Sequence, residues 1–230
     1  MLELCRITTI FFDLDHTLWD FEKNSEMTFA QIFDEENISL RLTDFISAYN
    51  PINHDCWRLY RNNQITHDEL RDLRLVRTFE ELDYDYSPKL LAAVNKKYID
   101  YLSQFTHLFK DTFSLLDYLA GRYELHIITN GFDAVQRLKI ERSKLSRYFH
   151  HIITAEKAGH KKPSPHIFKY ALEVASKTAT ESLMVGDSLE ADIQGALAVG
   201  MKAIHFNSHD EALHDECPIV DSLQALQQLL

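Results

Sequence analysis

Basic clusters, long apolar runs and paired cysteines are all missing from this 230-residue chain. Its three cysteines, Cys5, Cys56 and Cys217, form neither a CxxC pair nor a cysteine–histidine ligand spacing, which argues against a disulfide framework and a thiolate metal site. No stretch reaches membrane-spanning length, and the opening MLELCRITTIFF offers Arg6 but no long apolar core and no small-residue cleavage motif. A cytoplasmic protein is expected. The 24 Lys and Arg face 35 Asp and Glu, for a formal net charge of -11. A field of that sign repels duplex phosphates and anionic bilayers, so neither a nucleic acid polymer nor a membrane is an expected partner. An anionic small molecule would need local positive charge, from a metal ion or a well-placed lysine. Internal repeats and low-complexity linkers are also lacking.

What remains is ordinary globular composition, 45% hydrophobic and 26% charged, in a length that suits one α/β core with a smaller appendage. Ile7 to Phe12, Leu125 to Thr129, His151 to Thr154, Leu183 to Val185 and Lys202 to His205 are short, rich in β-branched or aromatic residues and bounded by polar residues or glycine. Those are features of buried strands. Between the later ones, Pro165 to Lys177 is predicted as a helix with Ile167, Tyr170, Ala171 and Val174 inward. Strands alternating with helices predict a Rossmann-like, doubly wound parallel sheet. The segment from about Phe21 to about Tyr86 shows only helical periodicity, as in Met27 to Phe33 and Leu70 to Leu82, with breaks expected at Asn50-Pro51 and Asn62-Asn63. The expected division is therefore an α/β core of residues 1–18 and 92–230 with a helical cap at 19–91, hinged at Trp19 to Glu22. A last strand at Ile219-Val220 and a helix ending at Leu229 are expected after a solvated acidic loop, Asp210 to Glu216.

Four motifs carry chemistry. In FFDLDHTLWD, Asp13 and Asp15 stand two apart where the first strand ends, so their side chains point the same way at the carboxyl edge of the sheet, where open α/β folds bind ligands. Two like charges held that close call for a cation or a shared proton. One of them capping a helix is the plain alternative. ITNG, Ile128 to Gly131, offers a threonine hydroxyl and turn N–H groups for phosphate oxygens. In KKP, Lys161 to Pro163, a lysine fixed by the proline could supply the positive charge the composition lacks, with a surface lysine pair as the plain alternative. VGDSLEAD, Val185 to Asp192, adds Asp187 and Asp192, oxygen ligands that suit magnesium.

Taken in this order, Asp13-Leu14-Asp15-His16-Thr17, Thr129-Asn130-Gly131, Lys162 and Gly186-Asp187 with Asp192 resemble the motif set of the haloacid dehalogenase superfamily. The resemblance covers essentially the whole chain. It implies a magnesium-dependent phosphomonoesterase in which Asp13 is the nucleophile forming an aspartyl-phosphate. It also implies Asp15 as acid and then base, with Asp13, Asp187 and the Asp15 carbonyl on the metal. Thr129, Asn130, Gly131 and Lys162 would bind phosphate, and Asp192 would orient Lys162 or metal-bound water. A retained Asp15 points away from dehalogenase chemistry, and Asp15-His16-Thr17 differs from the DxDGV of mutase-like members. The runs Ile127 to Phe149, KKPSPHIFKYALEVA and LMVGDSLEADIQGALAVG are similar to the pyrimidine 5'-nucleotidase subgroup, which implies UMP, dUMP or dTMP as substrate.

That subgroup's cap pattern is matched by Asn53, Trp57 and Tyr60, with Arg74 further on; together with His16 these are the candidate leaving-group contacts. Trp57 and Tyr60 at helical spacing equally suit a packed core, and Arg74 a salt bridge. The rival readings are a sugar-phosphate mutase or general metabolite phosphatase, and a non-catalytic binding module on the same fold. A monomer or small homo-oligomer is expected.

Overall fold

Strand β1 (Thr9–Phe12) is buried at all four positions, the mark of a central strand covered on both faces. In the computed structural model, which describes residues 6–209 and 211–230, it lies inside a six-stranded sheet ordered β3-β2-β1-β4-β5-β6. The other strands are β2 (Glu124–Thr129), β3 (His151–Thr154), β4 (Ser182–Gly186), β5 (Lys202–Phe206) and β6 (Ile219–Val220), and every pairing is parallel. Phe12 pairs with Ile127 on one side and Val185 on the other, so β1, β2 and β4 end almost level. The chain builds outward from β1 through β2 to β3, then returns to place β4 on the opposite side. That reversal opens a crevice at the carboxyl ends of β1 and β4, the usual ligand position in such sheets.

The α/β character predicted from the sequence is therefore observed, with strands that differ from expectation by a residue or two at their ends. Helix α8 (Pro165–Ala175) corrects the predicted face. It buries Ile167, Phe168, Ala171, Leu172 and Ala175 against Phe11, Ile128, Ile153 and Met184, while Tyr170 is only partly buried. Phe168 and Leu172 each contribute about 1.5–3 kcal/mol by leaving water. The helix starts where Ser164 accepts a hydrogen bond from His166 N and Pro165 presets the first turn.

Two contact units divide the chain, Met1–Phe21 with Thr106–Leu230 and Glu22–Phe105. The first holds the sheet together with α5 (Thr112–Ala120), α6 (Asp133–Arg142), a single turn α7 (Ala155–Ala158), α8, the short α9 (Gly195–Leu197) and α10 (Leu223–Leu229). The second is helical: α1 (Phe21–Glu36), α2 (Leu42–Arg61), α3 (His67–Glu81) and α4 (Pro88–Leu102). Its return lies beyond the expected residue 92 because α4 is one unbroken helix, started by Ser87 accepting from Leu90 N. Trp19, placed in the expected hinge, is fully buried and bridged to Asp15 and Leu108 in the first unit.

Phe29 anchors the second unit, its ring centroid 4.7 Å from those of Phe45, Tyr49 and Tyr98. The break expected at Asn50-Pro51 does not occur; Pro51 lies inside α2, on an exposed position. A proline removes one donor and crowds one carbonyl, and here the buried Phe45, Tyr49, Asn53 and Cys56 keep the helix continuous on both sides of it. The break at Asn62-Asn63 does occur, with Asn63 at φ 57°. Among the described residues no helix is long and apolar enough to cross a membrane. Cys5 and Asp210 lie outside the described residues.

Candidate active site

Asp13 is the first residue past β1, and its N–H donates to Val185 O at 2.8 Å, which extends the ladder by one step and fixes the direction of its side chain. Asp13 Oδ1 receives a bond from Lys162 Nζ at 2.6 Å. The same ammonium donates to Asp192 Oδ1 at 2.6 Å and to Ile128 O at 2.9 Å, so its three hydrogens are all committed. Lys162 is itself held by Asn130, whose side chain accepts from Lys162 N at 2.7 Å and donates to Lys162 O at 2.9 Å. The Lys162-Pro163 peptide is cis. Burial alone would lower the lysine's pKa, but Asp13 and Asp192 outweigh it and raise it.

From the other side of β1, Gly186 ends β4 and Asp187 follows. Thr17, buried in the first motif, donates to Asp187 Oδ1 at 3.3 Å, and His205 Nε2 approaches Asp187 O at 2.7 Å. The next turn, Leu189–Gln194, is π-helical and brings Asp192 back toward the strand end, where its Oδ2 accepts from Ser188 N at 3.1 Å. Oxygens of Asp13, Asp187 and Asp192 all lie within 4.8 Å of one another. Burial pushes the Asp13 carboxyl up to about 7 despite Lys162, with Asp192 and Asp15 adding repulsion. Burial, then repulsion from Asp13 and Asp192, holds Asp187 well above the usual carboxylate range. One lysine does not neutralise three carboxylates so close together, and an all-oxygen donor set of this kind fits a hard divalent cation.

Asp15 does not join that cluster. Its carboxylate turns to α6, where Lys139 Nζ donates to Oδ1 at 2.6 Å and Gln136 Nε2 donates to Oδ2 at 2.8 Å. Lys139 is buried and sits 4.2 Å from the Trp19 ring centroid, a cation–π contact. Gln136 Nε2 donates again, to Thr129 Oγ1 at 2.8 Å, and Gly131 N donates to the same hydroxyl at 3.1 Å. Gly131 leaves the room that this amide occupies, since a Cβ on it would meet Gln136 Nε2 at 2.4 Å.

The chain that sets these carboxylates, a lysine bridging two of them and a threonine turn on the carboxyl edge of one parallel sheet matches a family model for haloacid dehalogenase-like hydrolases over residues 10–206. The chain belongs to this family. The hydrolase is 32% identical to the pyrimidine 5'-nucleotidase YjjG of Escherichia coli, with 96% of each chain covered. It is 36% identical to a glyceraldehyde 3-phosphate phosphatase of Pyrococcus furiosus, over 87% of this chain and 81% of that one. Among solved structures, the magnesium-bound HAD-hydrolase YfnB of Bacillus subtilis superposes with a TM-score of 0.87 at 28% identity, covering 97% of this chain and 98% of that one.

Of the residues singled out in the sequence, the fold of the hydrolase gathers Asp13, Asp15, Thr129, Asn130, Gly131, Lys162, Asp187 and Asp192 on one edge. His16 is half-buried at φ 63°, with its ring 4.6 Å from that of His209, and His209 Nε2 is 3.7 Å from Asp187 Oδ2. Asn53, Trp57 and Arg74 belong to the helical unit. There Asn53 and Arg74 are buried, Arg74 Nη1 donates to Asn53 Oδ1 at 3.3 Å, and the guanidinium lies 4.6 Å from the Tyr98 ring centroid. Trp57 packs edge-on against Tyr60 at 5.6 Å. Sequence reasoning missed the parts played by Thr17, Gln136, Lys139 and His205. Gln136 and Lys139 carried one readable signal: spaced i, i+3 they share a helix face with Ile140, so a lysine on the buried stripe needs a buried anion.

Proposed function

We propose that the hydrolase is a magnesium-dependent phosphomonoesterase that works through an aspartyl-phosphate and takes pyrimidine nucleoside monophosphates. The supporting observation is the separation of the two aspartates of the first motif. Asp13 is tied to Lys162 beside the acidic cluster, while Asp15 is held on the other side by Lys139 and Gln136. That arrangement gives one carboxylate for bonding to phosphorus and another for moving protons.

An oxygen of Asp13 forms a bond to phosphorus as the ester P–O bond breaks, and Asp15 delivers a proton to the departing alkoxide. Asp15, then a carboxylate, removes a proton from the water that attacks the acyl phosphate, and the P–O bond to Asp13 breaks to release phosphate. Lys162 offsets charge on Asp13 and on the phosphoryl oxygens, and Thr129 with the Asn130 N–H binds those oxygens. Asp13, Asp187 and the Asp15 carbonyl would hold magnesium, which would neutralise charge that otherwise repels a phosphate dianion. Asp192 keeps Lys162 in place.

The choice of pyrimidine nucleotides rests on YjjG, whose match runs over 96% of both chains. The Pyrococcus relative supports a second reading, a phosphatase of small sugar phosphates. Phosphate release with magnesium, by wild type and Asp13→Asn, from UMP, dUMP, dTMP, AMP, glyceraldehyde 3-phosphate and p-nitrophenyl phosphate tests both. The expected result is preference for the pyrimidine nucleotides, an inert variant and no turnover in excess chelator. Preference for glyceraldehyde 3-phosphate overturns the substrate assignment alone. Activity that survives Asp13→Asn or chelation overturns the mechanism.

A further inference from the structure

Gln136 stands outside the four motifs, yet it bonds both to Asp15 and to Thr129. The group facing the Asp15 carboxylate must be the NH2 of its amide, because the carbonyl oxygen would be repelled there. The same nitrogen carries two hydrogens, and both are directed, one at Asp15 Oδ2 and one at Thr129 Oγ1, each at 2.8 Å. Thr129 Oγ1 also accepts from Gly131 N at 3.1 Å. A hydroxyl has two lone pairs and one hydrogen. With both lone pairs engaged, the only capacity left to Thr129 is its own O–H.

We propose that Gln136 is a positioning residue that fixes Thr129 as an obligate hydrogen-bond donor to the transferring phosphoryl group and links that hydroxyl to Asp15. Without Gln136 the threonine hydroxyl can rotate and present a lone pair to an anionic oxygen, which repels it. With Gln136 in place, the donor is oriented before substrate arrives, so none of the interaction is lost to reorganisation during the reaction. Burial keeps competing water away, since Gln136 and Thr129 are 1% and 2% exposed. The proposal rests on the phosphomonoesterase reading of the site, in which Thr129 faces phosphate.

The test is a double-mutant cycle on kcat/KM for the best phosphate ester, using Gln136→Met, Gln136→Glu and Thr129→Val, with circular dichroism and thermal unfolding as checks on the fold. Methionine keeps the volume without the donor; glutamate keeps shape and polarity but only accepts. The expected loss is on the order of tenfold to a hundredfold for Gln136→Met and larger for Gln136→Glu, below the roughly hundredfold to thousandfold lost when a donor that itself touches the transition state is removed. Because Gln136 acts through Thr129, Gln136→Met in the Thr129→Val background should cost at least fivefold less than in wild type, a coupling that independent sites do not show.

Equal fractional losses in the two backgrounds, or a methionine variant as active as wild type, would overturn the proposal. If the methionine variant does not fold, the glutamate variant carries the same cycle. A wild type that hydrolyses no phosphate ester instead overturns the phosphomonoesterase reading, so the two failures are distinguishable.

Discussion

Gly131 lies just past β2 and Gly186 ends β4, the two strands that flank β1, and at each the missing Cβ makes room for a side chain of the site. A Cβ on Gly131 would meet Gln136 Nε2 at 2.4 Å, and one on Gly186 would meet Asp192 Oδ2 at 2.3 Å. The consequences differ because the neighbours differ in freedom. Gln136 is a flexible side chain that can swing aside once its two bonds are given up. Asp192 is clamped between Lys162 Nζ and Ser188 N, and the clash extends to its Cβ at 2.6 Å, so relief requires movement of the π-helical turn itself. Gly131→Ala should therefore reduce kcat/KM about as far as Gln136→Met while the melting temperature falls only slightly. Gly186→Ala should lose activity and also about 1–3 kcal/mol of stability, the usual cost of overpacking. Denaturant titrations of the two variants beside their kinetics check this; equal stability losses would contradict it.

At the scale of elements, the strands were readable because burial on both faces leaves continuous apolar runs such as Ile127-Ile128 and Leu183-Met184-Val185 bounded by polar residues. Their meeting at one edge followed from parallel order, which is why eight of the motif residues could be placed together from spacing alone. Helix details were less legible. The stripe that α8 buries is set by which strands it crosses, and the passage of α2 through Pro51 depends on packing that no local pattern records. Gln136 and Lys139 show by their spacing only that a buried stripe carries polar residues, and their role appears once the partner, Asp15, is brought back from 121 and 124 residues away.

Strand β2 supplies a prediction of its own. His126 is fully buried, stacked on Phe11 at 4.9 Å and on His151 of β3 at 5.2 Å, and its Nε2 approaches Glu124 Oε1 at 3.3 Å without hydrogen-bond alignment. Burial, reinforced by His151, His150 and Lys177 against the pull of Glu124, lowers its pKa from 6.5 to about 4. Between those values the unfolded chain binds a proton that the folded chain refuses, so stability falls as pH drops from about 6.5 to about 4 and levels off below. The contribution is at most about 1.4 kcal/mol per pH unit. Urea unfolding from pH 7 to pH 4.5 should show a shallower decline for His126→Leu than for wild type; parallel curves would exclude this histidine as the cause.

At the scale of the whole molecule, the acidic balance and the acidic site act in the same direction. A chain of formal net charge -11 that also packs Asp13, Asp187 and Asp192 within 4.8 Å carries self-repulsion concentrated at the carboxyl edge of its sheet. Lys162 neutralises part of it, and the rest shows in the raised pKa values of Asp13 and Asp187. A cation that binds only the folded chain stabilises it by mass action, by about 2.7 kcal/mol at a hundredfold excess over its dissociation constant. Magnesium should therefore raise the melting temperature of the sheet-bearing unit in proportion to the logarithm of its concentration once the site is largely occupied. Asp187→Asn removes one carboxylate of the cluster and a proposed ligand together, so it should melt higher than wild type without metal and respond little when magnesium is added. Calorimetric scans of both proteins, each with chelator and across a magnesium series, decide the matter. A wild type indifferent to magnesium, or a variant that gains as much from it as wild type does, would show that this cluster is not where the ion binds. The opposite signs expected for the variant with and without metal separate electrostatic relief from general damage to the fold, because damage lowers the melting temperature in both conditions.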